Sequence, residues 1–392
     1  MNNKILGFSS FLIYLLSIAQ VAKRTVLSKT LEYSPWSFSE LLVFYPGQFT
    51  RRGFIGEVVQ RIDKDSILFE TVNLVVFINF VIFVLLSYFL IKLSNLSPIQ
   101  HFIYLISIFG ILNITVFNQY FHRKEMFVLN LFLITLITLR LKEYQYLVLI
   151  ITTICSILMI LIHEGIAMIT IPFIVFIFKK KLNNSRKIIN IYTPIVLLTF
   201  FIVIISAGSD SASRAIWESL SEFDKNQIVI DPNAITAIGW SLFDSFFNTT
   251  EVLIFSGSMF LWSFYFLMAI FTLVAIFKIN LNDYYFDFAK IKSFLQKEKY
   301  FLVIPILFVV GFDWGRWIFS LFHLCFFSYL ILNKNAIRTI TSWTIPVFLL
   351  ITVSIFTIMP ECCLQMSGTV VSSNYYRIFK SIQITIQSLL MN

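Results

Sequence analysis

Long apolar runs separated by short polar interruptions make up most of this chain. The runs fall at about 5–22, 68–91, 101–118, 126–139, 146–178, 190–207, 252–277, 300–332 and 341–359. A helix rises 1.5 Å per residue, so about 20 apolar residues cross the roughly 30 Å hydrocarbon layer of a bilayer. Two runs are too long for one crossing. Tyr146–Phe178 and Tyr300–Leu332 each hold about 33 residues, or about 50 Å of helix.

Both long runs are polar at their middle, with His163-Glu164-Gly165 in the first and Asp313-Trp314-Gly315-Arg316 in the second. An ionisable group at the bilayer centre costs about 2.5–3.5 kcal/mol. Cations flank each run: Arg140 and Lys142 against Lys179-Lys180-Lys181, then Lys297 and Lys299 against Lys334 and Arg338. A helical hairpin with cytoplasmic ends and its polar turn near the outer face satisfies length, cost and charge together. Tilted or re-entrant half-helices satisfy them too, because each half-run is short.

The pattern predicts an all-α, polytopic transmembrane protein of about 11 spans (10–12), a single membrane domain over 1–392 with its N-terminus cytoplasmic. Outer loops are expected at about 23–67 and 208–251, with short amphipathic helices at the membrane surface. The second loop is acidic on balance and suits either a lid or a solvated connection. A C-terminal amphipathic segment is expected at 377–390, where Lys380, Gln383 and Gln387 interrupt apolar residues. The first run, Ile5–Val21, lacks a small-x-small cleavage site and reads as a retained span.

Composition sharpens this. Only 13% of the residues are charged and 58% are hydrophobic, whereas soluble domains average about 25% charged. Such a chain cannot cover its surface with ions, so that surface must meet lipid. The net charge of +9 does not point to nucleic acid, because Lys and Arg lie between apolar runs, where they signal topology. The cysteines, Cys155, Cys325 and the vicinal Cys362 and Cys363, have no metal-binding spacing.

Candidate chemistry gathers in the polar interruptions. Arg51-Arg52-Gly53, in the first loop, offers guanidinium forks that bind phosphate bidentately beside a glycine that lets the backbone approach. The same stretch suits a surface helix with its arginines on anionic headgroups. Asp63 and Asp65 form a weak candidate metal site, two carboxylates that can hold a divalent cation against a diphosphate. No other cofactor is expected. His122-Arg123-Lys124-Glu125 places four ionisable residues in one short connection. His163 can act as a base with a nearby carboxylate fixing its tautomer, or serve as a polar hairpin tip with Glu164. Asp313 and Arg316, three apart, share a helical face and can pair, with Trp314 and Trp317 as interfacial anchors. An arginine in a Trp-lined site can equally stack on a sugar or clamp a phosphate. In one topology Arg51, Arg52, Arg123, Lys124, His163, Glu164, Asp313 and Arg316 all fall at the outer face, an arrangement that suits an anionic lipid-linked substrate.

In size, span number and outer-facing loops the chain resembles bacterial O-antigen and capsule polymerases of the Wzy type and, more broadly, GT-C membrane glycosyltransferases. GT-C enzymes keep an acidic residue in the first outer loop, a place that Glu57, Asp63 or Asp65 would fill. Arg51, Arg52, Arg123 and Arg316, with Lys124, would match arginines that act on a diphosphate. The resemblance implies transfer of a glycan between undecaprenyl-diphosphate carriers, or of a sugar from a lipid-phosphate donor, at the bacterial inner membrane. Glu57, His163, Glu164 and Asp313 are then the expected catalytic groups. A lipid-linked glycan, membrane lipid and a polysaccharide chain-length regulator are the expected partners. A flippase for lipid-linked oligosaccharide would need similar cations facing a cavity, together with pseudo-symmetric halves. An acyltransferase using His163 is a third reading.

Overall fold

The computed structural model describes residues 3–45, 49–62, 68–94, 96–117, 120–141, 143–205, 210–220, 230–239, 258–277, 288–310 and 314–332. Among these the regular structure is entirely helical. The helices are α1 (Asn3–Arg24), α2 (Pro35–Leu41), α3 (Phe54–Ile62), α4 (Leu68–Lys92), α5 (Pro98–Ile106), α6 (Lys124–Thr138), α7 (Gln145–Ile162), α8 (Glu164–Lys181) and α9 (Ser185–Ile205). They continue with α10 (Asp210–Ser219), α11 (Ser258–Phe277), α12 (Phe288–Lys297), α13 (Val303–Val310) and α14 (Trp314–Leu332).

Five of them, α1 from Lys4 onward, α4, α7, α9 and α14, are long and apolar enough to cross a membrane. Trp262–Phe277 and Lys299–Val309 are apolar but shorter. The chain is therefore a helical membrane protein. The expected span at 341–359, the segment 377–390 and most of the loop 208–251 lie outside the described residues.

The outer surface fits a lipid environment. Ile195, Leu198, Phe201 and Ile202 on α9, and Phe8, Leu12 and Leu15 on α1, are exposed. Apolar side chains left outside in this density need an apolar solvent. The interior is built on α6, which packs against α4, α7, α8 and α14, while α11 closes on α14.

The first long run does turn back at His163. Its backbone is extended there (φ −161°, ψ 98°), ending α7 and starting α8 in one residue. Tyr192 of α9 shows the reversal: its hydroxyl lies 2.7 Å from Ser156 Oγ on α7, and its ring centroid 5.4 Å from that of Phe178 on α8. In one straight helix those two residues would stand about 33 Å apart. The run 300–332 divides less evenly, into the eight residues of α13 and the 19 of α14.

The run 101–118 corrects the expectation of a single span. Helix α5 stops at Ile106, Ser107 takes an extended ψ of 164°, and a π-turn follows at Asn113–Phe117. Gly110 permits this path: a Cβ there would lie 2.0 Å from the Tyr104 carbonyl. The broken backbone is tolerated because it is buried in protein, where Asn113 Nδ2 donates to the Ser107 carbonyl at 2.8 Å.

Candidate functional site: a buried cluster of ions

Three helices begin at one place. Helices α6, α8 and α14 open with Lys124-Glu125, Glu164 and Trp314-Gly315-Arg316, and these polar residues are in mutual contact through their neighbours. The first turn of a helix carries about half a positive charge from its unpaired N–H groups, so three such ends bias this spot toward anions.

The side chains add to that bias. Arg316 Nη1 donates to both oxygens of Glu40, at 3.0 and 3.1 Å, and its Nε lies 3.3 Å from Glu125. Arg123 reaches Glu40 at 3.6 Å. Arg52 Nε and Nη2 hold Glu164 at 2.9–3.1 Å, with Arg51 at 3.8 Å. Lys124 Nζ donates to the Arg52 carbonyl at 2.8 Å. His163 turns Nε2 toward Glu125 at 3.9 Å, while its Nδ1 accepts from the Ile166 amide. Glu40 stays ionised here. Burial alone would raise its carboxyl, but Arg316, Arg123 and Lys124 outweigh burial and hold it well below the usual carboxylate range.

Among the described residues the cluster gathers five cations (Arg51, Arg52, Arg123, Lys124, Arg316) and three carboxylates (Glu40, Glu125, Glu164). Most of it is buried. Only Arg51, Arg52 and Glu164 keep side-chain exposures of 16%, 24% and 11%, so they form its rim.

The loop carrying the rim arginines is fixed in place. Arg52 sits at φ 63°, a left-handed conformation that non-glycine residues adopt rarely. The Lys124 contact to its carbonyl and the Glu164 fork hold it there. A Cβ on Gly53 would meet the Tyr45 ring at 2.3 Å, and one on Gly56 the Val43 carbonyl at 2.0 Å. On the other side Trp262 of α11 packs edge-on against Gly315, where a Cβ would come within 2.6 Å.

The structure thus brings Arg51, Arg52, Arg123, Lys124, His163, Glu164 and Arg316 into one cluster. Glu57 is elsewhere: it pairs with Arg61 one turn on, at 2.8 Å, and accepts from the Tyr45 amide. Asp313, Asp63 and Asp65 lie outside the described residues. Arg316 engages Glu40 and Glu125, and Glu125 rather than Glu164 faces His163. Sequence reasoning missed Glu40 as a site residue, and saw Glu125 only as part of its polar tetrad.

Fold and site together define a helical membrane protein with a buried, arginine-rich cluster of ions. No protein-family model, curated protein or solved structure matches the chain.

Proposed function

We propose that this chain is a membrane glycosyltransferase that polymerises glycan carried on undecaprenyl diphosphate, at the outer face of the bacterial inner membrane. The observation that carries the reading is the gathering of Arg51, Arg52, Arg123, Lys124 and Arg316 where three helix N-termini meet. A diphosphate ester brings about two negative charges and planar oxygen pairs that guanidinium forks match. Arg51 and Arg52 at the rim would take the diphosphate as it becomes the leaving group, stabilising the charge that develops on it. Glu40, from the first loop, would fill the acidic position for which the resemblance to GT-C enzymes offered Glu57, Asp63 or Asp65.

Deletion of the gene in its host provides the test. Loss of the polymerase should leave surface glycan capped with single repeat units, with lipid-linked units reaching the outer face. Units trapped at the inner face, with no capped product, would contradict polymerisation and identify transport instead.

A further inference from the structure

The three carboxylates of the cluster are not equivalent. Glu40 accepts two hydrogen bonds from Arg316, and Glu164 is closed by the Arg52 fork. Glu125 is fully buried with Arg316 Nε 3.3 Å away, yet neither of its oxygens accepts a hydrogen bond from another described residue. His163 Nε2, 3.9 Å away and also buried, has no hydrogen-bond partner there either. Buried polar atoms are seldom left so, because each costs about 1–3 kcal/mol. The gap of 3.9 Å is too wide for a hydrogen bond between the two groups, but it is a span that one hydroxyl oxygen about 2.8 Å from each would bridge. The amide of Ile166 occupies Nδ1, which puts the imidazole proton on Nε2. The imidazole would then donate to the oxygen of that hydroxyl, and the hydroxyl proton would point at Glu125.

We infer that Glu125 and His163 form the seat of the acceptor hydroxyl, with Glu125 its general base. The inference rests on the glycosyl-transfer reading above. In the step, the acceptor O–H proton passes to Glu125 as the acceptor oxygen bonds to the anomeric carbon. The bond from that carbon to the phosphate oxygen breaks, and its electron pair leaves on the diphosphate toward Arg51 and Arg52. His163 holds the acceptor oxygen in line and is a positioning residue. A general base of this kind contributes typically 10²–10⁴-fold.

The experiment compares wild type, Glu125→Gln and Glu125→Asp as full-length chains, reading surface polymer in a deletion host and the thermal shift produced by undecaprenyl diphosphate on purified protein. Glu125→Gln should accumulate normally, lose polymer at least 100-fold and bind undecaprenyl diphosphate within threefold of wild type. Polymer within threefold of wild type would overturn the inference. Loss of polymer and binding together would also overturn it, since Glu125 would then only hold the cluster together. Should Glu125→Gln fail to accumulate, Glu125→Asp decides: a tenfold or greater loss of polymer with binding kept supports a base, and wild-type polymer refutes it. A deletion host with unchanged glycan instead removes the glycosyl-transfer reading, and this role with it.

Discussion

Arg316 spans two carboxylates with one guanidinium, Nη1 on Glu40 and Nε toward Glu125. A lysine has a single head and cannot occupy both places. Removing one partner of a buried ion pair costs about 3–5 kcal/mol. Arg316→Lys should therefore lower thermal stability in detergent by a share of that cost and abolish polymer. Wild-type melting and polymer would show that Arg316 is an interfacial anchor. Glu40 gives a pH expectation. Its folded-state carboxyl is depressed, so its stabilisation is complete above the ordinary carboxylate value of about 4.3 and is lost only as pH falls toward the lower folded value. For Glu40 the melting temperature should show no drop from pH 8 to pH 5, and Glu40→Gln should melt lower throughout that range. At this scale the sequence displayed the cations, because charges inside apolar runs stand out. Glu40 was hidden: nothing beside it in Ser39-Glu40-Leu41 suggests a partner, and Arg316 lies 276 residues away. Local spacing cannot reveal a contact made by tertiary packing.

The helix ends carry the next level. Helices α6, α8 and α14 start together where the chain reverses at His163, and the loop before α3 folds back so that Arg52 meets Glu164 and Lys124. Gly56 permits that approach, with the Val43 carbonyl where its Cβ would be. Since the obstruction is backbone, Gly56→Ala should destabilise by about 1–3 kcal/mol. Thermal unfolding of purified protein checks this, and an unchanged midpoint would show that the loop is free to shift. The reversal at His163 was legible, since length and a polar centre cannot both fit one crossing. The break at Gly110 was not. Its run carries no charge cluster at its middle, and the close approach of the Tyr104 carbonyl depends on how the chain turns after Ser107.

For the whole molecule, the shared origin of α6, α8 and α14 puts the cluster on one side of the membrane. The functional reading requires that side to face outward. Thr30, exposed in the first loop, and Lys180, exposed at the far end of α8, report opposite sides. In a background without native cysteines, an impermeant thiol reagent should label Thr30→Cys in intact cells and leave Lys180→Cys unlabelled. The reverse pattern would put the cluster on the cytoplasmic side. The membrane class was plain from 13% charge and the apolar runs. The number of spans was not, because runs alone do not distinguish a crossing from a broken or re-entrant helix.

The central claim is that the cluster receives a lipid-borne dianion, and direct binding tests it most plainly. Purified full-length protein should bind undecaprenyl diphosphate and discriminate against uncharged undecaprenol, whose chain is the same but which offers nothing to the arginines. Replacing Arg51 and Arg52 together with alanine should weaken diphosphate binding at least 100-fold, since bonds to charged groups contribute about 1.5–3 kcal/mol each. Undecaprenol binding should not change. Equal affinity for the two lipids, or undiminished diphosphate binding by the double variant, would contradict the account.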